Sequence, residues 1–190
     1  MIHIESSEIL SRGYHLLRRI RFSWPGRDGG RSSALHEVLE RADAAAILLH
    51  HRERDVFVLV SQYRLGAALN GHEGPLLEVA AGLIDAGETP LEAALREARE
   101  ETGYAPAAAT PVCAIFPSPA AVTEKLFLFV AEIDDGMRVG AGGGLAHEEE
   151  EVAIREIGVA QARAMLDAGE IADAKTLILL QWYFARADAG

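Results

Sequence analysis

Cysteine is nearly absent from the sequence. Cys113 is the single cysteine among 190 residues, so no disulfide can form within the chain, which favours a reducing cytoplasm. Long apolar runs are also lacking, because the longest, such as residues 126–131, have only the length of a strand. The first residues show no basic stretch followed by an apolar segment. We therefore expect no signal peptide and no membrane span.

Basic residues are a minority among the charged ones. The sequence has 18 Lys and Arg against 29 Asp and Glu, which gives a formal net charge of −11. Because such a chain repels other polyanions, we expect no nucleic acid and no anionic membrane among its partners. A small anionic substrate would need a cation between itself and the protein. The composition is otherwise that of an ordinary globular protein, with 49% hydrophobic residues.

The sequence has no internal repeat and predicts one compact domain, residues 43–190, behind an N-terminal extension, residues 1–42. Two loosely alternating runs in the extension flank a turn-forming cluster at residues 24–30, which is typical of a β-hairpin. Apolar patterning in the main domain predicts strands at residues 44–49, 56–60, 76–84, 111–116, 126–133 and 151–157, and helices at residues 159–168 and 172–187. We expect the first two of these strands to be antiparallel neighbours.

A further helix begins at Thr89. Thr89 can cap it, Pro90 suits the first helical position, Glu92 completes a capping box, and Gly103 suits the residue just beyond the end. On this helix three carboxylates share a face, because residues three and four apart are neighbours. They are those of Glu97, Glu100 and Glu101.

Close carboxylates repel one another unless a cation lies among them, and hard oxygen ligands suit Mg²⁺ or Mn²⁺. A metal site is therefore one interpretation of the cluster. The alternative is a solvated helix face on which Arg96 and Glu100 form an ordinary pair at the i,i+4 spacing.

The spacing of these residues decides between the two interpretations. Seven fixed positions follow the order G-x5-E-x7-R-E-U-x-E-E-x-G-U, and they are Gly82, Glu88, Arg96, Glu97, Glu100, Glu101 and Gly103. This pattern resembles the Nudix box. The resemblance implies an α/β fold, an α/β/α sandwich around a mixed β-sheet, here with an N-terminal β-hairpin extension. It also implies hydrolysis of a nucleoside diphosphate linked to another group.

The resemblance further implies roles for the box residues. Glu97, Glu101 and Glu100, with the carbonyl of Ala81, would be metal ligands, and Glu100 and Arg96 are also assigned to catalysis. Glu88 would pair with Arg96 and tie the loop to the helix. Gly82, Glu88 and Gly103 would support the site structurally.

Segments outside the box narrow the resemblance to nucleoside diphosphate sugar pyrophosphatases, which include ADP-ribose and GDP-mannose hydrolases. These segments are Gln62-Tyr63-Arg64, residues 76–82, and Ser118-Pro119 followed by Thr123-Glu124, with Asn70-Gly71, residues 142–144 and residues 173–176 resembling the GDP-mannose branch. Arg64, Glu78 and Glu124 are the candidate substrate-binding residues. A planar guanidinium such as that of Arg64 can bind phosphate oxygens bidentately.

An acidic run, residues 147–151, follows the glycines of residues 140–144. Alone it indicates a solvated linker. By resemblance it is a mobile loop with glycine hinges that delivers a general base, with Glu148 as first choice and Glu149 and Glu151 behind it. Other conspicuous residues have simpler interpretations: His50 and His51 as solvated loop residues, and Cys113 as a small buried hydrophobe.

Together these features predict a cytoplasmic, Mg²⁺-dependent (or Mn²⁺-dependent) hydrolase. It would cleave the pyrophosphate of a nucleoside diphosphate sugar, and it would be a homodimer whose extension contributes to dimerisation and base binding. Two alternatives are a non-catalytic nucleotide-sugar sensor of the same fold and a nucleoside triphosphate pyrophosphatase.

Overall fold

The computed structural model describes residues 1–144 and 152–187. The chain forms two compact units, one of residues 1–43 with 115–126, the other of residues 44–114 with 127–190. No helix within the described residues is long and apolar enough to cross a membrane.

A three-stranded antiparallel sheet dominates the first unit. Its strands are β1 (His3–Arg12), β2 (Leu16–Pro25) and β3 (Arg31–Glu40), in that spatial order. The predicted hairpin is present as β2 and β3, whereas β1 was missed. Its residues are mostly exposed and polar, so no apolar alternation marks it, and its regular ladder to β2 is what makes it a strand.

The segment of residues 115–126 completes this unit. The amide of Leu39 donates to the carbonyl of Ala121 at 2.7 Å, and the amide of Thr123 donates back to Leu39 at 3.1 Å. Within the segment, Ser118 accepts from the amides of Ala121 and Val122. Residues 118–122, which include Ala120 and Ala121, therefore form a tight turn.

A seven-stranded sheet organises the second unit. Its strands are β4 (Ala44–His51), β5 (Val56–Gln62), β6 (Leu76–Glu78), β7 (Ala80–Leu83), β8 (Thr110–Ile115), β9 (Leu126–Ile133) and β10 (Ala153–Gly158). The order is β10-β5-β4-β9-β8, with β6 beside β5 and β7 beside β4. Every residue of β4 is buried, as its continuous apolar run indicates. The predicted antiparallel pairing of β4 with β5 is confirmed.

The helices are α1 (Leu65–Leu69), α2 (Pro90–Glu97), α3 (Val159–Asp167) and α4 (Ala174–Ala187), with a short 3₁₀ turn at Asp135–Met137. The mixed α/β class is thus confirmed. Helix α2 buries Ala93, Ala94 and nearby Ala98 in a core shared with Ile47 of β4 and Val58 of β5. Small residues on this face let the helix lie close to the sheet.

The start of α2 and the glycine after the helical segment are as the sequence predicts, but the last turn is not α-helical. Thr89 and Glu92 form both bonds of the capping box, and Gly103 is the left-handed residue after the end, with φ +79°. From Ala98 to Thr102, however, the chain is π-helical. The Thr102 hydroxyl donates to the carbonyl of Ala98 at 2.5 Å, a back-bond typical of such distortion. Single π turns inside helices are frequent at functional sites.

The strand predicted over residues 76–84 is divided. β6 ends at Glu78 and β7 begins at Ala80, because the amide of Val79 leaves the ladder and donates to the hydroxyl of Thr176 at 2.8 Å. That acceptor lies 97 positions away in sequence, so local patterning carries no sign of the break.

Two simpler interpretations are wrong. His50 and His51 are not solvated loop residues but the buried end of β4, where Asp55 and Asp135 respectively contact their Nε2 atoms. These polar partners, one of them 84 positions away, make burial tolerable. Cys113 is exposed rather than buried, because β8 is the edge strand of the sheet.

Candidate functional site

Arg96, the last basic residue of α2, contacts three carboxylates. Its Nε and Nη2 atoms donate to the two oxygens of Glu88, each at 3.0 Å, which confirms the predicted pair. Its Nη1 atom donates to Glu97 at 2.5 Å and to Glu100 at 3.0 Å. Nη2 also reaches the carbonyl of Leu83 at 2.8 Å. The Arg96 guanidinium therefore links the loop after β7 to the box helix, which is α2 with the π-helical turn that follows it.

These contacts shift the protonation equilibria of the pair. Hydrogen bonds from Arg96 hold the pKa of Glu88 below its usual value, and the bonds to Glu88, then Glu97, raise the pKa of Arg96. Both groups therefore stay charged through the neutral range.

Gly82 and Glu97 are in direct contact. A methyl group on Gly82 would overlap the carboxylate of Glu97, so only glycine lets this acid lie against β7. The φ of Gly82 is not in the left-handed region, so the requirement is for space rather than for an unusual backbone. The box glycine is therefore explained by the packing of one candidate ligand.

Glu101 is turned inward, towards the sheet. It is only 3% exposed, and its Oε2 accepts from the amide of Ala81 at 3.0 Å. A buried carboxylate is costly unless it is bonded, and this backbone donor is one of its partners. Glu101 is thus hydrogen-bonded to Ala81, the residue whose carbonyl is the fourth predicted metal ligand.

The solvated-face interpretation of these acids is wrong. The side chains of Glu97 and Glu100 are 12% and 17% exposed, and Glu101 is less exposed still. The pair of Arg96 and Glu100 that this interpretation predicts is present, yet it belongs to a part-buried network.

The donor chemistry fits a hard divalent cation, because the cluster consists of carboxylate oxygens, with one guanidinium among three acids. Across residues 1–144 and 152–187, however, no three acidic, histidine or cysteine side chains stand at metal-binding spacing. Glu97 and Glu100 are instead bonded to Arg96, and Glu101 is bonded to the Ala81 amide.

Arg64 and Glu78 form a second cluster. Arg64 donates from Nε and Nη2 to the two oxygens of Glu78, at 2.7 and 3.2 Å. Glu78 is 2% exposed, and the ammonium of Lys175 also contacts it. Glu78 therefore holds two cations side by side, while the Arg64 side chain retains 37% exposure.

Lys175 is the residue that sequence reasoning missed. Asp173 accepts from the Lys175 ammonium at 2.8 Å and from the Thr176 amide at 2.9 Å, and so fixes the first turn of α4. Thr176 in turn holds Val79 at the break between β6 and β7. From the sequence, residues 173–176 only resemble the GDP-mannose branch. The contact of Lys175 with Glu78 is not predicted, because 97 positions separate the two residues.

The remaining candidates are Glu124 and the glutamates of the acidic run. Glu124 belongs to the first unit, where it pairs with Arg41 at 3.3 Å. Glu148, Glu149 and Glu151 lie outside the described residues. The glycines before them are described, and their backbone bonds to the end of the box helix rather than standing apart from it.

Comparisons with known proteins identify the family and the fold. The model of the NUDIX domain matches residues 40–180. GDP-mannose pyrophosphatases of Cronobacter sakazakii and Citrobacter koseri are 40% and 39% identical over 181 and 182 residues, covering 95% of this chain and 93% and 94% of theirs. The solved structure of an ADP compounds hydrolase superimposes with a TM-score of 0.72 at 20% identity, covering 98% of this chain and 95% of that one. The predicted fold is therefore confirmed, and the chain belongs to the NUDIX family.

Proposed function

We propose that this protein hydrolyses the pyrophosphate bond of a nucleoside diphosphate sugar, giving a nucleoside monophosphate and a sugar phosphate. The observation that carries the proposal is the part-buried carboxylate cluster of the box helix, packed against Gly82 and Ala81. The names of the relatives favour GDP-mannose over ADP-ribose as substrate, and those relatives match along 93–94% of their own length.

A divalent cation completes the site in this proposal, as NUDIX hydrolases generally use one, and we propose Mg²⁺, with Mn²⁺ as a substitute. Glu97, Glu100, Glu101 and the carbonyl of Ala81 would hold it. When bound, it would neutralise charge on the pyrophosphate and acidify a water molecule. Glu97 and Glu100 would then contact the cation in place of Arg96, which retains its bidentate bond to Glu88.

The protein's own residues bind and orient the substrate. Arg64 would donate to pyrophosphate oxygens, and Glu78 acts here as a positioning residue, because its two bonds fix the plane of the guanidinium before substrate arrives. Lys175 also bonds to Glu78 and restrains it. Glu124 remains a proposed substrate contact.

The reaction needs one water molecule and one proton acceptor. Water attacks a phosphorus atom, the bond from that phosphorus to the bridging oxygen breaks, and the proton passes to a carboxylate, for which we propose Glu148. The proposal is supported by Gly144, four residues earlier in the sequence, whose amide donates to the carbonyl of Glu100 at 3.1 Å.

The two alternatives have less support. A sensor without turnover would not require the box acids, yet all are present, with Glu88, Glu97 and Glu100 bonded to Arg96 and Glu101 to the amide of Ala81. A nucleoside triphosphate pyrophosphatase would not account for likeness to nucleotide-sugar enzymes over 95% of the chain.

The first prediction concerns substrate class. With Mg²⁺ present, GDP-mannose, ADP-ribose and ADP-glucose should release phosphomonoesters, with GDP-mannose fastest, while a nucleoside triphosphate should react much more slowly. Chromatographic separation of the nucleoside monophosphate product from its substrate measures each rate. Faster hydrolysis of the triphosphate would favour the second alternative, and binding of GDP-mannose without products would favour the sensor.

The second prediction concerns Glu101. Glu101→Gln keeps an oxygen that can accept from Ala81 but removes the charge, so turnover should fall by at least ~10²-fold. The melting temperature should change little, because one repulsive charge is removed while the shape is kept. Glu53→Gln, at an exposed glutamate of the β4–β5 turn, is the matched control. Parent-like turnover in Glu101→Gln would contradict the ligand assignment.

The third prediction concerns the general base. Glu148→Gln should lower kcat strongly with little change in KM, because the box and Arg64 still bind the pyrophosphate. Glu149→Gln and Glu151→Gln are its controls within the same run. If one of these loses turnover while Glu148→Gln does not, the base is that neighbour. Normal turnover in all three would exclude each of these three glutamates as the base.

The fourth prediction concerns assembly. We propose a homodimer in which the N-terminal sheet contributes to the interface and to binding the base. Its support is the exposure of apolar side chains on the first unit, among them Ile2, Ile4 and Leu35. Sedimentation at micromolar concentration should show twice the chain mass, and Leu35→Asp should reduce it. An active monomer would overturn this proposal.

We also propose a cytoplasmic location, and its support is that the sequence contains a single cysteine.

A further inference from the structure

The glycine segment of residues 140–144 lies directly against the last turn of the box helix. The amide of Gly143 donates to the carbonyl of Glu101 at 2.8 Å, and that of Gly144 donates to the carbonyl of Glu100 at 3.1 Å. On the other side of this turn, the amides of Val139 and Gly140 donate to the carbonyl of Gly103, at 2.9 and 3.2 Å. Four amides thus meet three carbonyls at the helix end, where α-helices leave such groups without partners.

Close approach of the two backbones requires glycine at specific positions. A methyl group on Gly142 would stand 2.6 Å from the carbonyl carbon of Thr102 and 2.7 Å from the carbonyl oxygen of Glu101. Its φ is +70°, which also favours glycine. One on Gly103 would overlap the carbonyl oxygen of Gly140. Gly140, in contrast, has room, because nothing lies within 4 Å of a methyl group on it.

The turn that is held in this way is the π-helical one, Ala98–Thr102, which contains two of the candidate ligands. A π turn displaces side chains from their α-helical directions, and here Glu101 points inward to the amide of Ala81. The amides of Gly143 and Gly144 bond to the carbonyls of the same two residues, Glu101 and Glu100, whose carboxylates belong to the site.

We propose that Gly142 and Gly143 are positioning residues of this enzyme: they clasp the π-helical turn and thereby set where the carboxylates of Glu100 and Glu101 stand. The inference deepens the proposed function and rests on it for its kinetic readout. The glycines have an architectural role here in addition to any freedom they give to the chain that follows.

The test compares Gly142→Ala with Gly140→Ala, two substitutions in one segment of which only the first meets backbone. In Gly142→Ala we expect kcat for GDP-mannose to fall about 10²-fold, as for displacement of catalytic groups by about an ångström, with KM within about threefold. Calorimetric titration with Mn²⁺ alone, without substrate, should show about tenfold weaker binding. Gly140→Ala should match the parent in both measurements.

Parent-like kcat and Mn²⁺ affinity in Gly142→Ala would overturn the proposal, and so would equal losses in Gly140→Ala. If Gly142→Ala does not fold, Gly143→Ala decides, because its methyl group has room, 3.7 Å from the Val152 carbonyl oxygen, while its φ of +100° strains the clasp. It should show smaller losses in the same two measurements, and parent values would overturn the proposal. If the parent hydrolyses no nucleotide sugar, the proposed function fails, whereas the Mn²⁺ titrations still judge the clasp.

Discussion

The contact between Arg96 and three carboxylates is the interaction on which the site depends. A part-buried carboxylate without a counter-charge is expensive, and Glu88, Glu97 and Glu100 share one guanidinium. The same side chain bonds the carbonyl of Leu83, so the loop that leaves β7 and the helix that follows are held at a fixed separation. Gly82 can then accommodate Glu97, and Glu101 can reach Ala81.

The second cluster has the opposite arrangement of charge. In the Nudix box the guanidinium of Arg96 lies among several carboxylates, whereas the carboxylate of Glu78 is bonded to two cations, Arg64 and Lys175. A site for a pyrophosphate with a divalent cation needs both polarities, one region that attracts cations and another that attracts phosphate. Here only Val79, Ala80 and Ala81 separate Glu78 from Gly82, so consecutive short strands would carry both regions of the proposed site.

Local features of the fold could be predicted from the sequence, and features that depend on distant contacts could not. The capping box at Thr89, the left-handed Gly103 and the bond of Glu88 to Arg96 involve residues at most eight positions apart, so spacing alone indicates them. The part played by Lys175 and the burial of His51 depend on partners 97 and 84 positions away. For the glycines before the acidic run the sequence predicts hinges. Their contact with the end of the box helix is not predicted, because that helix end is also remote in sequence.

The hydrogen bond between Val79 and Thr176 affects the order in which the parts of the candidate site form during folding. Residues 76–103 supply the sheet break and the box, but the hydroxyl that holds the break and the ammonium that restrains Glu78 are on the final helix. During synthesis from the N-terminus the box leaves the ribosome some 70 residues ahead of these partners, and contacts between distant residues form late because the intervening chain must first be ordered. A nascent chain therefore contains the box sequence before the residues that restrain Val79 and Glu78 are synthesised, and these restraints form only when the last helix docks.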